Sequence, residues 1–559
     1  MTANSSNIPT VVEKFYHWEK NTPDKFFLRQ PYADEWRTMT YAEAGQEARK
    51  MVTVLKEHGL TKGAHIGIYS KNCYHWILAD LATLIGGYVS VPLYASLPKS
   101  QLAEVIKLGD LDAIFLGKLD HWGDRALVIP ESTMAIKFPH YEGNAIVDIG
   151  QDWNDLVANK TPTIENHYPQ LEDLWTIKFT SGTTGTPKGV MLSHRSSSLQ
   201  YHHEEKTNYV GYFNHGDIKT FSYLPLNHIG ERLGVALPTI WGGGTISFAE
   251  NINTFIKNLR DTQPTVFFAV PRIWNKFHQS ITAKISERKL KILLGIPFVN
   301  KILKKKLLLG LGLKDVKIVA TGAAITPAHI KRFFKILNLH LIEAYGMTEC
   351  GPITYGVATD CPFDSVGQPS PYCEVSIEKN TDEILLKTPY MMMGYYKNPD
   401  KTGRVLVDQW MHSGDRGTID ERGNVRVVGR LSDAFKTTKG SFITPNVLEE
   451  YMSANAFIEQ ICVVGLGIPH PIALVNLNED GQKSDKGIVE ASILELLSQL
   501  NDTRAKYERI STVIIQKDTW SIDNNLLTPT LKVKRNNLNN RFNANFLKWH
   551  ESEESIIWS

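Results

Sequence analysis

From about residue 36 to residue 430 the chain alternates short apolar runs of strand character with amphipathic stretches, as where HIGIYS is followed by WILADLATLIGGY and then by VSVPLY. Parallel strands need helical crossovers between them, so this alternation prescribes an α/β fold class. Glycine and proline punctuate it. Gly59 and Gly63 follow the stretch 41 to 58, and Pro92 falls in the next strand region. With 559 residues, 42% hydrophobic and 21% charged, the chain can bury several cores and should split into two or more domains. A boundary is expected just after DRGTIDERGNVRVVGR, where Glu421-Arg422-Gly423-Asn424 supplies turn residues between two short strands. The expected division is 1–431, a large domain of several subdomains with mixed sheets and helices, and 432–559, a small α/β unit.

Charge excludes one class of partner. The 61 basic and 59 acidic residues leave a formal charge of +2, so bulk electrostatics give no support to nucleic-acid binding. The five cysteines, Cys73, Cys350, Cys361, Cys373 and Cys462, show no CxxC spacing and fit a reducing compartment. The opening residues MTANSSNIPTVVEKF lack the basic and apolar regions of a signal peptide, and no run approaches the roughly 18 apolar residues of a membrane span. A cytoplasmic location is expected, with one segment pointing to the inner face of a membrane. Between Lys289 and Lys314, KLKILLGIPFVNKILKKKLLLGLGLK sets lysines among leucines and isoleucines. It reads either as an interfacial helix or, as is commoner, as a surface helix packed on its own domain and interrupted by Gly295, Pro297, Gly310 and Gly312.

The chemistry is densest in LWTIKFTSGTTGTPKGVMLSH, residues 174 to 194. A strand-like run ends at Phe179 and passes into Thr180, Ser181, Gly182, Thr183, Thr184, Gly185, Thr186, Pro187 and Lys188. Small residues let backbone amides approach an anion, hydroxyls add donors and the lysine adds charge, so the segment reads as a phosphate cradle or, on composition alone, as a flexible loop. A Walker A loop is excluded, because Lys188 is followed by Gly189 rather than by Ser or Thr.

The ordered string TSGTTGTPKG resembles the signature of the adenylate-forming superfamily, which includes acyl-CoA synthetases, luciferases and peptide-synthetase adenylation domains. Further motifs follow in that superfamily's order: Thr321-Gly322-Ala323-Ala324, then Tyr345-Gly346-Met347-Thr348-Glu349, then His412-Ser413-Gly414-Asp415, then Gly429-Arg430, and last Pro529 to Arg535 around Lys532. The resemblance implies the adenylate-forming fold, with a mobile C-terminal domain, and a reaction in which ATP and a carboxylate give acyl-AMP. It implies that Thr180 and Glu349 bind Mg2+ and that Tyr345 stacks on adenine beside Gly322, Ala323 and Ala324. It implies that Asp415 accepts hydrogen bonds from the ribose hydroxyls, that Arg430 reaches the same ribose or the phosphates, and that Lys532 is the catalytic lysine. Lys532 is preferred to Lys534 because it stands three positions before Arg535. Ser432, where the superfamily commonly has Asp or Lys, and Asp433 occupy the hinge position.

Four segments look like long-chain acyl-CoA synthetases in particular: YLPLNHIGER at 223 to 232, VPRIW at 270 to 274, KGSFITP at 439 to 445 and LTPTLK at 527 to 532. On that resemblance a fatty acid and coenzyme A are the other substrates. His228 lines the acyl or thiol channel, or is a buried structural histidine. The glycines of Trp241-Gly242-Gly243-Gly244 leave room for a chain or simply make a turn. The alternative function is an acyl-AMP ligase that delivers the acyl group to a carrier protein, since the shared motifs serve only the first half-reaction.

Overall fold

In the computed structural model, which describes residues 8–33, 35–180, 187–438, 440–528 and 532–559, the alternation becomes an eight-stranded sheet. Its order is Gly394–Tyr395, Lys188–Ser193, Leu174–Thr180, Val89–Leu93, His65–Tyr69, Ala113–Leu116, Met134–Lys137 and Gln151–Asp152. Neighbours from Leu174–Thr180 onward run parallel, while Leu174–Thr180 and Lys188–Ser193 form an antiparallel hairpin. Helix Tyr41–Glu57 opens with a capping box between Thr40 and Glu43 and buries Tyr41, Ala44, Ala48, Met51, Val52 and Leu55, the three- and four-residue spacing of one helical face. Gly59, at φ 85°, ends it in a conformation that favours glycine. Pro92 lies inside an interior strand, normally forbidden because proline has no amide to donate. The neighbouring Leu174–Thr180 pairs with that strand only at Ser90↔Thr176, so little of the ladder is lost.

A second sheet runs Val266–Ala269, Ile318–Gly322, Leu341–Met347, Gly351–Tyr355, Gln368–Pro369, its first three strands parallel. A third contains Glu374–Ile377, Glu383–Lys387, Trp410–Ile419 and Val425–Arg430. The expected turn between the last two is present: Asp420 Oδ1 accepts from the amides of Arg422 and Asn424, and Gly423 sits at φ 81°. A fourth sheet of four strands carries Phe26–Tyr32 and Lys219–Ser222.

Beyond residue 434 a four-stranded sheet, Ile458–Val464, Ile472–Leu477, Val513–Ile515 and Ile556–Trp558, separates two cores. Alternate residues point to opposite sides. Val463, Val475 and Val513 join Leu448, Met452 and Ile493; Val464, Leu474 and Ile514 join Leu538, Phe546 and Trp549. Both cores are built from residues of this segment alone.

The lysine-rich segment forms two helices, Glu287–Leu294 and Pro297–Leu311. Pro297 starts the second and Gly312, at φ 78°, caps it, but Gly310 lies within the helix, contrary to the expected interruption there. An alanine Cβ at Gly310 would meet nothing within 4 Å, so this glycine answers no steric demand. Leu290, Leu294 and Leu311 are buried against a core containing Phe277 and Phe333. The glycines after Trp241 make a turn: Gly243, at φ 65°, lies against the Trp18 ring, and the Trp18 indole donates to the Trp241 carbonyl at 3.0 Å. Among the described residues no helix is long and apolar enough to cross a membrane.

Candidate active site

A cavity of about 1430 Å³ opens where the parallel strands of the second sheet end and the third sheet and the C-terminal segment meet them. Carboxyl ends of parallel strands are where α/β sheets leave ligand crevices. Gly322 closes one such strand opposite Ala344, and an added Cβ there would stand 2.8 Å from the Ala344 carbonyl oxygen. Ala323 follows in the left-handed region at φ 66°. Gly346 is equally constrained, because its Cβ would collide with the returning backbone at Gly351. The glycines of both motifs thus let two strand ends crowd together beside Tyr345.

Two other motifs prove to be cross-strand partners. Asp415 lies opposite Arg430 in antiparallel register, with Arg430 Nε 2.8 Å from Asp415 Oδ1. The Tyr345 phenol donates to Asp415 Oδ2 at 2.8 Å, and Arg430 Nη1 donates to the Ser413 carbonyl at 3.1 Å. Burial raises the Asp415 carboxyl above the ordinary aspartate range, against the opposing pull of Arg430, Tyr345 and Lys532.

Glu349, almost fully buried, accepts a hydrogen bond from the Tyr395 phenol at 2.8 Å, while its backbone oxygen accepts from the Met392 amide. Thr180 and Lys188, the ends of two antiparallel strands, are directly paired, and both line the cavity. Ser181, Gly182, Thr183 and Thr184 lie outside the described residues. Lys188 Nζ is 5.8 Å from the Tyr395 ring centre, and Lys401 Nζ lies 5.9 Å from the same ring. The Lys401 ammonium is pushed down to about 8, first by burial and then by Lys188 and Arg404, with Glu349 opposing. Sequence reasoning missed both Tyr395 and Lys401. Asn398 and Pro399 do signal a helix start, and Asn398 caps it by accepting from the Lys401 amide. Nothing local shows that Gly394–Tyr395 pairs with Lys188–Ser193 and so carries Lys401 to Lys188.

Lys532 enters from the C-terminal segment. Its backbone amide donates to the Thr528 hydroxyl at 3.0 Å, and its carbonyl accepts from the Thr528 amide at 2.8 Å, which ties Lys532 to Thr528. The side chain remains solvent-accessible, but into the cavity. Confinement there pushes its ammonium below the ordinary lysine range, Arg430 adding to the effect and Asp415 opposing it. Lys534 instead donates to Asn525 Oδ1 at 2.6 Å, and Arg535 is held by Glu449 at 2.7 Å. Ser432 is exposed in a short 3-10 turn, Leu431–Asp433, and Asp433 lies 3.8 Å from Arg535.

His228 caps a short helix by accepting from the Gly230 amide at 3.1 Å and lines the cavity. Burial, with Lys532 and Lys178 nearby, pushes its imidazole down to about 3, which favours the neutral ring. Glu231 and Arg232 beside it belong to the core. Arg232 pairs with buried Asp80 at 2.5 Å and lies 4.4 Å from the Trp175 ring centre. Lys178, also buried, donates to the Asn227 carbonyl and so ties the His228 loop to the strand Leu174–Thr180. The cavity lining also includes Tyr212, Phe213, Leu233, Val266, Phe268 and Ile342, with Glu204 accepting from the Tyr212 amide at 3.0 Å.

Residues 15–396 match the family model described as AMP-binding enzyme. The chain belongs to the AMP-binding enzyme family. It is 28% identical to the peroxisomal long chain acyl-CoA synthetase 6 of Arabidopsis thaliana, over 90% of this chain and 80% of that protein. It is 27% identical to long-chain-fatty-acid–CoA ligase 6 of Mus musculus, over 92% of this chain and 82% of that one. Solved AMP-binding enzymes share the fold: an anthranilate CoA ligase in complex with anthranoyl-AMP superposes with a TM-score of 0.77 at 17% identity, covering 97% of this chain and 99% of its own. ATP-bound MatB from Rhodopseudomonas palustris superposes with a TM-score of 0.73 at 21% identity, covering 96% and 99%. The adenylate-forming α/β architecture expected from the motifs is therefore the observed one.

Proposed function

We propose that this AMP-binding enzyme activates a fatty acid with ATP to an acyl-AMP and then transfers the acyl group to coenzyme A. The observation that carries this reading is one cavity lined both by the charged Lys188, Glu349, Asp415, Arg430 and Lys532 and by a set of large apolar side chains that includes Leu233, Val266, Phe268 and Ile342. The long-chain acyl-CoA ligases among its relatives support the choice of substrate.

Attack of a carboxylate on the α-phosphorus brings two anions together, so the site must supply positive charge and alignment. Tyr345 offers its ring to adenine, with Gly322, Ala323 and Ala324 alongside and Gly346 and Thr348 completing that wall. Asp415 accepts from the ribose hydroxyls, and Arg430 reaches the same ribose or the phosphates. Lys188, and Lys401 beside it, meet the terminal phosphates, while Lys532 bridges the incoming carboxylate and the α-phosphate. Among the described residues no three His, Cys, Asp or Glu side chains gather as a metal cage. That suits magnesium carried in by nucleotide phosphates, which needs few protein oxygens. The buried Glu349 carboxylate and the Thr180 hydroxyl fit it, and when bound it would neutralise phosphate charge. The neutral His228 imidazole lines the path of the acyl group or thiol.

The same proposal divides the chain at 431/432, with Ser432 and Asp433 as the hinge. The separate cores beyond residue 434 and the exposed turn at Ser432 support this. Lys532 must withdraw before a thiol can reach the acyl carbonyl, which a rotation there would allow.

The test is pyrophosphate release with ATP across short, medium, long and aromatic acids, followed by acceptor assays with coenzyme A and with a holo carrier protein. Release with a long-chain acid and thioester formation on coenzyme A are expected. Release only with aromatic acids, or transfer only to the carrier protein, would overturn the reading.

A further inference from the structure

The helix Pro297–Leu311 is apolar on two sides. Its inner side packs Leu303, Leu307 and Leu308 on the core. Its outer side exposes Phe298 (87%), Ile302 (68%) and Leu309 (48%), four and seven residues apart and so aligned along one face. Ile292 and Ile296, 61% and 46% exposed, extend the patch across the preceding turn. Large apolar side chains exposed together on this scale mark an interaction surface.

The charge around the patch identifies the partner. From 288 to 314 the sequence carries eight Lys and Arg residues and no Asp or Glu, in a chain whose total charge is only +2. Lys291 is near Glu287, Lys314 is near Asp315, and Lys304 donates to Asn338. Lys301, Lys305 and Lys306, all exposed among the apolar tips, have no acidic partner among the described residues. The centres of protein–protein interfaces are depleted in lysine. A nucleic acid offers phosphates but no apolar layer for five such side chains. An anionic bilayer surface offers both, because apolar tips sink into the acyl boundary while lysine stems reach up to the headgroups.

We propose that the outer face of Pro297–Leu311, with Ile292 and Ile296, docks on an anionic lipid surface. Phe298 and Ile302 enter the bilayer, and Lys301, Lys305 and Lys306 meet the headgroup phosphates. No described residue of either helix lines the cavity, so the contact is separate from the reaction site.

The test is co-sedimentation of the full chain with vesicles of phosphatidylcholine alone and of phosphatidylcholine mixed with phosphatidylglycerol. Binding to the mixed vesicles alone, weakening with salt, is expected. Replacing Lys301, Lys305 and Lys306 together by Gln should weaken it about 100-fold, roughly fivefold for each lysine. Phe298→Ser with Ile302→Ser should abolish the binding that survives high salt. If the serine variant melts at a lower temperature than the parent, the lysine variant decides. Absence of binding, equal binding to neutral vesicles, or binding unchanged in the lysine variant overturns the proposal. So does a dimer in sedimentation velocity that Phe298→Ser dissolves, since the face would then belong to a second copy of the chain.

Discussion

Asp415 and Arg430 face each other across two antiparallel strands, Nε to Oδ1 at 2.8 Å, while the Tyr345 phenol occupies the other carboxylate oxygen at 2.8 Å. Both oxygens are therefore oriented before a nucleotide arrives, and no reorganisation is needed to present them. Asp415→Asn keeps the shape and removes the charge. Hydrogen bonds to a charged group contribute about 1.5–3 kcal/mol, so the KM for ATP should rise roughly 10- to 100-fold, with a smaller fall in kcat. An ATP KM equal to that of the parent would remove Asp415 from the nucleotide site.

Glu349 supplies a buried carboxylate to the cavity lining, and Tyr395 orients it. Glu349→Gln preserves volume and loses the ligand charge, so adenylation should fall and the magnesium needed for half-maximal rate should rise about tenfold. Tyr395→Phe should shift the same titration less. A magnesium titration identical in Glu349→Gln and parent would contradict the role.

Lys401 tests a residue that no motif announces. Its ammonium, pushed down to about 8, is charged below that pH and is lost as pH rises through it. ATP affinity should therefore be flat below about 8 and decline above it. Lys401→Gln should weaken ATP about tenfold at pH 7 and remove the alkaline decline, on the scale of one charged hydrogen bond. Lys397→Gln, at a lysine paired with Asp110 at 2.5 Å, is the control. Equal effects in the two variants would sink the assignment.

Glu231 makes stability depend on pH in an unusual direction. Burial raises its carboxyl from 4.5 to about 8, against hydrogen bonds from Ser222 and the Tyr223 and Leu224 amides. Between those values the folded state holds a proton that the unfolded state has released, so stability falls as pH rises. Glu231→Gln mimics the protonated acid. Its stability relative to the parent should grow by up to about 1.4 kcal/mol per pH unit across that window. Urea unfolding from pH 5 to 8 reads this directly, and a constant difference would refute it.

How much of this was legible in the sequence depends on whether a feature is local. The capped helix Tyr41–Glu57 and the turn at Gly423 follow from neighbouring residues and appear where the pattern places them. Asp415, Arg430 and Tyr345 were legible one by one through their motifs. Their mutual contacts were not, because those depend on strand register over 70 residues. Glu231 and Arg232 were legible only as letters of the segment that resembles long-chain acyl-CoA synthetases, and both are fully buried, Arg232 against Asp80, Trp76 and Trp175. Lys401 was invisible for the same reason in reverse. An ordinary exposed-looking lysine comes near Lys188 and the Tyr395 ring only because Gly394 pairs with Met191.

Lys532, tied through its backbone to Thr528, is a lysine of the C-terminal segment within electrostatic reach of Asp415, Arg430 and His228. A charge that bridges carboxylate and α-phosphate matters when those two groups meet and not when a thiol attacks the finished adenylate. The measurement is the single-turnover rate of each half-reaction in Lys532→Ala: acyl-AMP from ATP and fatty acid, and thioester from supplied acyl-AMP and coenzyme A. The account predicts a loss of about 10² to 10³ in the first rate and little change in the second, with Lys534→Ala mild in both. Equal losses in both half-reactions, or an undiminished rate of acyl-AMP formation, would contradict it.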